Sequence, residues 1–343
     1  MNTPRTIAAF LTVLLLVAAF VPRTTSHAQA PVLPTLSSTS GAVAAVAPEA
    51  SDLQRTTVET VDTDEAAEGT AEPAEGRDPL AADMADGRWT RGFIQHRIVH
   101  FTFDDGPRPS TTRRILADLD RYGIKATFFV VGRQLNGPRH AEERELLREM
   151  AASGHTIGTH TWDHSNLTRL SDAEIEAELD QSEAVFEETF GARPWLIRPP
   201  YGAHNRHIDE ILAERHYTEV LWNISGSDTV TRDPDEMLAS FSQQLDFMER
   251  HPRGPGGIIL VHDTHEHTAD AFPRMVEELR RRNCELLDQP GEELWDIADD
   301  PRIFFQPRNG NDHMATTVRL DDETIAARQT VVRAQAEVYC AEG

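Results

Sequence analysis

Between residues 97 and 287 short β-rich runs alternate with segments of helical period. That alternation restricts the chain to folds built on a parallel sheet. The β-rich runs are 97–103, 125–131, 155–160, 195–198, 217–224, 257–262 and 284–287. Between them, 110–122 stops at Gly123 and 141–152 stops before Gly154. Glycine suits the left-handed residue that ends a helix. Ser171-x-x-Glu174 is a capping box, and the helix it opens carries Ile175, Leu179, Phe186 and Phe190 at near-helical spacing. A span of roughly 195 residues is short for eight full β/α units. The pattern therefore predicts an α/β fold: a distorted, TIM-like (β/α) barrel of about seven parallel strands.

The flanks differ in character. Residues 1–30 read as a signal peptide: Arg5, an apolar run over 7–21, then Ala28-Gln29-Ala30 as a small-x-small cleavage pattern. That run is shorter than the ~20 residues needed to span a bilayer, so no stable membrane span is expected after cleavage. Residues 31–92 carry 12 acidic and 4 basic residues and one aromatic, Trp89. They read as a disordered acidic linker rich in Ala, Thr, Glu and Pro. The expected catalytic domain is 93–289, followed by an extension over 290–343 with a helix at 324–336. An exported location follows: periplasm, cell envelope or medium.

The 33 basic and 57 acidic residues give a formal charge of −24. This argues against nucleic acid and against an anionic membrane surface as partners. Cys284 and Cys340 are the only cysteines, too few for a four-cysteine zinc site. In an oxidising exported compartment they are expected to pair.

Unusual polar residues gather at the C-terminal ends of the expected strands, the face where barrels collect catalytic groups. Asp104 and Asp105 end the first and can share a site where the chain turns into Gly106-Pro107, although Asp, Gly and Pro also make plain turns. His160 and His164 follow the third; if 160–164 is one helical turn, both imidazoles face one side. Two histidines and a carboxylate commonly hold a divalent transition metal with positions left open. Arg198 ends the fourth strand in Arg198-Pro-Pro-Tyr-Gly202, a loop stiffened by proline. Asp228 follows the fifth and His262 ends the sixth, while His265 and His267 read as bystanders.

Together, TFDDGP at 102–107, HTWDH at 160–164, RPPYG at 198–202 and LVH at 260–262 closely resemble the polysaccharide deacetylases of carbohydrate esterase family 4, the NodB-homology group. The resemblance covers about residues 94–288, with every block in family order. It implies Asp104 as base, with Asp105, His160 and His164 as ligands of a divalent metal, Zn2+ first and Co2+, Ni2+ or Mn2+ in its place. It implies that Arg198 braces the base, that the Tyr201 backbone N–H serves the oxyanion, and that His262 is the acid, oriented by Asp228. Where the family carries Asp-Trp, this sequence has Asp228-Thr229 and lacks the groove tryptophan. The implied activity is removal of N-acetyl groups from an N-acetylglucosamine-containing polysaccharide such as peptidoglycan or chitin. An O-acetyl esterase acting on xylan or another acetylated polysaccharide is the main alternative. A carbohydrate-binding module without activity and a non-haem iron oxygenase are further ones. No feature of the sequence names a protein partner.

Overall fold

The computed structural model describes residues 89–305 and 318–341. Their sheet is organised around β2 (Ile98–Asp104), buried along its whole length as a strand covered on both faces must be. Side chains along it alternate. Val99, Phe101 and Phe103 enter the core shared with the outer helices, while Ile98 joins a second cluster with Phe129, Leu196 and Ile258. The same period carries His100, Thr102 and Asp104 to the Ile98 face.

On one side of β2 lie, in order, β3 (Thr127–Val130), β4 (Thr156–Thr159), β5 (Leu196–Ile197), β6 (Thr218–Val220) and β1 (Trp89–Thr90). On the other lie β8 (Gly257–His262) and β7 (Ile224–Ser225), with β9 (Asp296–Ile297) beside the start of β2. Every pairing is parallel. The strand expected over 217–224 is two strands: β6 pairs with β5, whereas β7 pairs with β8. One bent segment thus runs from β6, next to the edge strand β1, to β7 at the opposite edge, and the barrel is distorted there. Asn223 explains the break. Its Oδ1 accepts from Ile258 N at 2.8 Å and its Nδ2 donates to Gly256 O at 3.0 Å, so a side chain occupies places a strand backbone would take.

The helices are α1 (Pro109–Tyr122), α2 (Ala141–Ala152), α3 (Asp172–Phe190), α4 (Arg206–Glu214), α5 (Pro234–Met248), α6 (Glu266–Leu286) and α7 (Asp322–Ala341). Gly123 ends α1 at φ 69°, and Glu174 accepts from Ser171 N at 2.8 Å at the start of α3. Phe101 and Phe103 meet Phe272 of α6 edge-on at 5.1 and 5.5 Å. Full burial of each such ring contributes about 1.5–3 kcal/mol.

Three boundaries differ from expectation. The strand expected at 284–287 is the end of α6, whose buried positions Phe272, Met275, Val276, Leu279 and Asn283 keep a helical period through Cys284. The last strand is instead β9, inside the stretch expected to be an extension. The sheet also begins earlier than 93, because Trp89 of the expected linker pairs with Glu219. Residues 1–88 lie outside the described residues, and with them the expected signal and most of the linker. No helix among the described residues is long and apolar enough to cross a membrane.

The helix expected over 324–336 is α7, and it is longer. Cys340 near its end is bonded to Cys284 of α6, with Cα atoms 5.6 Å apart and a sequence separation of 56. Asn283 adds to this junction, donating to Trp295 O at 2.8 Å and to Tyr339 Oη at 3.0 Å. Closing a loop of that length stabilises by up to about 4 kcal/mol in the chain-entropy treatment. The Cys284→Ser, Cys340→Ser double variant is therefore expected to unfold at lower urea with the main sheet intact. Equal midpoints for the variant and the oxidised wild type would contradict this.

Candidate active site

Strand β2 delivers two carboxylates to one place because its end twists. Asp104 keeps the strand conformation and points inward, whereas Asp105 has φ 75° and turns its side chain to the same side. Asp104 Oδ2 and Asp105 Oδ1 lie 3.7 and 3.6 Å from His160 Nε2, and Asp105 Oδ1 lies 3.2 Å from His164 Nε2. Gln134 holds the turn by donating to Asp105 O at 2.6 Å.

The 160–164 segment is not a helical turn, the one conformation for which the spacing alone would set both imidazoles on one side. Thr161 and His164 both take left-handed backbone, at φ 65° and 71°, and this bend brings the two rings edge-on at 4.9 Å. Glu178, largely buried on α3, holds the bend by accepting from Trp162 N and Asp163 N at 3.0 and 3.1 Å. Sequence reasoning missed Glu178; its place between Ile175 and Leu179 on the buried face of a helix was the available signal.

Arg198 is fully buried and organises both aspartate and histidine. Its Nη1 donates to Asp104 Oδ1 at 2.7 Å and to Thr102 Oγ1 at 2.9 Å. Its Nε donates to Val220 O at 2.7 Å, and its guanidinium lies 4.2 Å from the Phe129 ring centroid. The carbonyl of Arg198 sits 2.6 Å from His160 Nδ1. A carbonyl only accepts, so Nδ1 carries the proton and the Nε2 lone pair faces the aspartates. Burial lowers the His160 pKa, which keeps the ring neutral. Tyr201 tops the loop at φ 65°, exposed, its ring edge-on to His164 at 4.7 Å.

Across the site, Asp228 grips His262. Its Oδ2 accepts from His262 N at 2.6 Å and from Thr268 Oγ1 at 2.7 Å, and its Oδ1 accepts from His262 Nδ1 at 3.0 Å. His267, read from the sequence as a bystander, bonds to Asp228 O at 2.9 Å, while His265 Nδ1 lies 3.9 Å from Asp228 Oδ2, beyond hydrogen-bond distance. Burial opposes charge on His262, but the Asp228 bond and the charges of Asp228, Asp104 and Asp105 outweigh it and raise the ring to about 9. Burial likewise opposes charge on Asp228, yet the His262 bond and its neighbours hold that carboxyl far below the usual range.

Because the folded-state value of His262 lies above its ordinary 6.5, the stabilisation from its charge is complete below about pH 6.5. It is lost as pH rises through about 9. Urea unfolding of the chelated wild type is expected to show this decline between pH 6.5 and 9, and Asp228→Asn to flatten it. The same slope in both proteins would contradict the pairing.

A further group lies under the Asp-Gly-Pro turn. Asp263 is fully buried and accepts from Thr112 Oγ1 at 2.5 Å, and burial pushes its carboxyl up to about 7. A Cβ at Gly106 would stand 2.2 Å from its Oδ2, so only glycine fits there.

Three groups among the described residues bring His, Asp or Glu ligand atoms within 4.8 Å of one another: Asp105 with His160 and His164, Asp228 with His262 and His265, and His204 with Asp209 and Glu219. The first fits a divalent metal. Asp105 Oδ1 is buried without a hydrogen-bond partner, and His160 presents a free lone pair beside it. In the second group both Asp228 oxygens already accept N–H or O–H donors.

The sequence profile of the family described as polysaccharide deacetylase matches residues 94–220. The peptidoglycan-N-acetylmuramic acid deacetylase PdaC of Bacillus subtilis is 32% identical over 191 residues, 56% of this chain and 38% of that protein's length. The chain thus spans well under half of that relative. A chitooligosaccharide deacetylase of Bradyrhizobium is 30% identical over 209 residues, 57% of this chain and 90% of the relative. The solved chitin deacetylase of Colletotrichum lindemuthianum superposes with a TM-score of 0.50 at 26% identity, over 56% of this chain and 84% of that one. It shares the distorted barrel. With nine-tenths of a 30% identical relative covered, the chain belongs to the polysaccharide deacetylase family.

Proposed function

We propose that this chain is a metal-dependent hydrolase that removes N-acetyl groups from an N-acetylglucosamine-containing polysaccharide, peptidoglycan first and chitin or a related polymer next. One observation carries this reading: a carboxylate braced by a buried arginine faces two histidines and a second carboxylate, opposite a histidine held as a cation. The relatives named above supply the substrate class.

Asp105, His160 and His164 would hold the metal, Zn2+ first and Co2+, Ni2+ or Mn2+ in its place. A divalent metal there supplies Lewis acidity, lowering the pKa of water from about 15.7 toward ~7 and polarising an acyl carbonyl. Asp104, fixed by Arg198, takes the proton from the attacking water. The Tyr201 N–H donates to the oxyanion as the acyl carbon becomes tetrahedral. His262 enters the reaction protonated because Asp228 holds its charge, and it gives its proton to the departing nitrogen as the C–N bond breaks. Acetate and a free amine leave. The catalytic region runs from Trp89 at least to β9, and residues 1–30 act as an export signal that places the enzyme outside the cytoplasm.

Hydrolysis of O-acetyl groups on xylan is the second reading, favoured by the exposed Thr229 where a groove tryptophan would narrow the choice of sugar. Acetate release measured side by side from peptidoglycan glycan strands, chitooligosaccharides and acetylated xylan separates the two. Faster release from the N-acetylated substrates is the expected result. Release from xylan alone would overturn the first reading.

A further inference from the structure

Glu219 of β6 is 2% exposed, and neither of its carboxylate oxygens has a hydrogen-bond partner among the described residues. It faces two other ligand-bearing side chains. His204 Nδ1 lies 2.9 Å from Asp209 Oδ1 and 3.5 Å from Glu219 Oε1. The three residues come from separate places: His204 just past the Arg198–Gly202 loop, Asp209 in the first turn of α4, Glu219 in the sheet. The Trp89 ring closes one side, edge-on to His204 at 5.1 Å.

A charged carboxylate buried without a partner is strongly disfavoured, so it binds a proton or a cation. Burial, with the neighbouring Asp209 carboxylate adding to it against the charges of His204 and Arg91, pushes the Glu219 carboxyl up to about 8, so a bound cation would take the place of a proton there. A protonated His204 does not fill the need. It turns one N–H toward two carboxylates and leaves the second Glu219 oxygen with no donor. We propose that His204, Asp209 and Glu219 form a second divalent-cation site that fastens the loop carrying Tyr201 to the barrel. One imidazole and two carboxylates suit Zn2+ or Mn2+, whereas Ca2+ and Mg2+ favour all-oxygen sets. The site is separate from Asp105, His160 and His164, and it does not depend on the reaction proposed for them.

The test is metal stoichiometry. The full chain, stripped with chelator, is titrated with Zn2+ calorimetrically and analysed for bound metal after desalting. Wild type is expected to take two equivalents. Asp209→Asn, a near-isosteric change on a partly exposed helix position, should weaken one of them at least tenfold, and Glu219→Gln should do the same. Asp105→Asn should lose the other equivalent and keep this one. Circular dichroism identifies any variant that fails to fold, and Asp209→Asn is chosen so that one variant survives. A single equivalent in wild type that disappears in Asp105→Asn overturns this site while leaving the first standing. Two equivalents retained in both Asp209→Asn and Glu219→Gln also overturn it.

Discussion

The Arg198→Met protein is expected to be about 3–5 kcal/mol less stable than wild type and to lose most of its turnover. The side chain is fully buried, and the change leaves the Asp104 carboxylate in the barrel interior without its 2.7 Å donor. Thr102 Oγ1 and the Val220 carbonyl lose partners as well. Lysine is no substitute: one ammonium cannot reach the aspartate, the threonine and the Val220 carbonyl on the other side of a planar guanidinium. Adding Asp104→Asn to Arg198→Met removes the uncompensated charge and should recover part of the stability without any activity. Urea unfolding of both variants checks this. An Arg198→Met protein as stable as wild type would show that the buried pair is not what holds the strand end.

Asp104→Asn and Asp105→Asn should both lose most of their turnover, for different reasons. Asp105→Asn replaces an anionic ligand with a neutral one, so metal content should fall and excess Zn2+ should restore part of the activity. Asp104→Asn leaves all three proposed ligands in place, so metal content should match wild type. Turnover should nonetheless drop by roughly 10²–10⁴-fold, the usual cost of losing a general base, and excess metal should not rescue it. If Asp104→Asn lost the metal while Asp105→Asn kept it, the two roles would be exchanged.

The barrel and its working end were readable because two independent signals coincide in the chain. Strand-like runs alternate with helices, and acids, histidines and an arginine sit where those runs stop. What escaped has physical causes. The break inside 217–224 depends on the Asn223 side chain taking ladder positions opposite Gly256 and Ile258; asparagine is disfavoured in strands, but one such residue in an otherwise β-rich run does not mark a break by itself. Cys284 to Leu287 reads as a strand when taken alone, and the helical period of the buried residues before it, Phe272 to Asn283, carries it into the end of α6. Trp89 lies in an acidic, alanine-rich stretch and belongs to the sheet only because Glu219 stands opposite. Glu178 and Asp263 are charged residues that composition assigns to the surface, yet both are buried beside the site because backbone N–H groups or a threonine hydroxyl meet them. His265 and His267 read as bystanders in a chain with 15 histidines, and their place beside Asp228 depends on a contact across about 40 residues of sequence.

The most direct measurement counts acetate and newly exposed amine in the same samples. Chelator-stripped full chain is incubated with peptidoglycan glycan strands and with chitooligosaccharides, with and without added Zn2+. Equal amounts of acetate and amine, appearing only when metal is returned, is the expected result. No acetate from either N-acetylated substrate at any metal level would contradict it, as would release that is indifferent to the chelator.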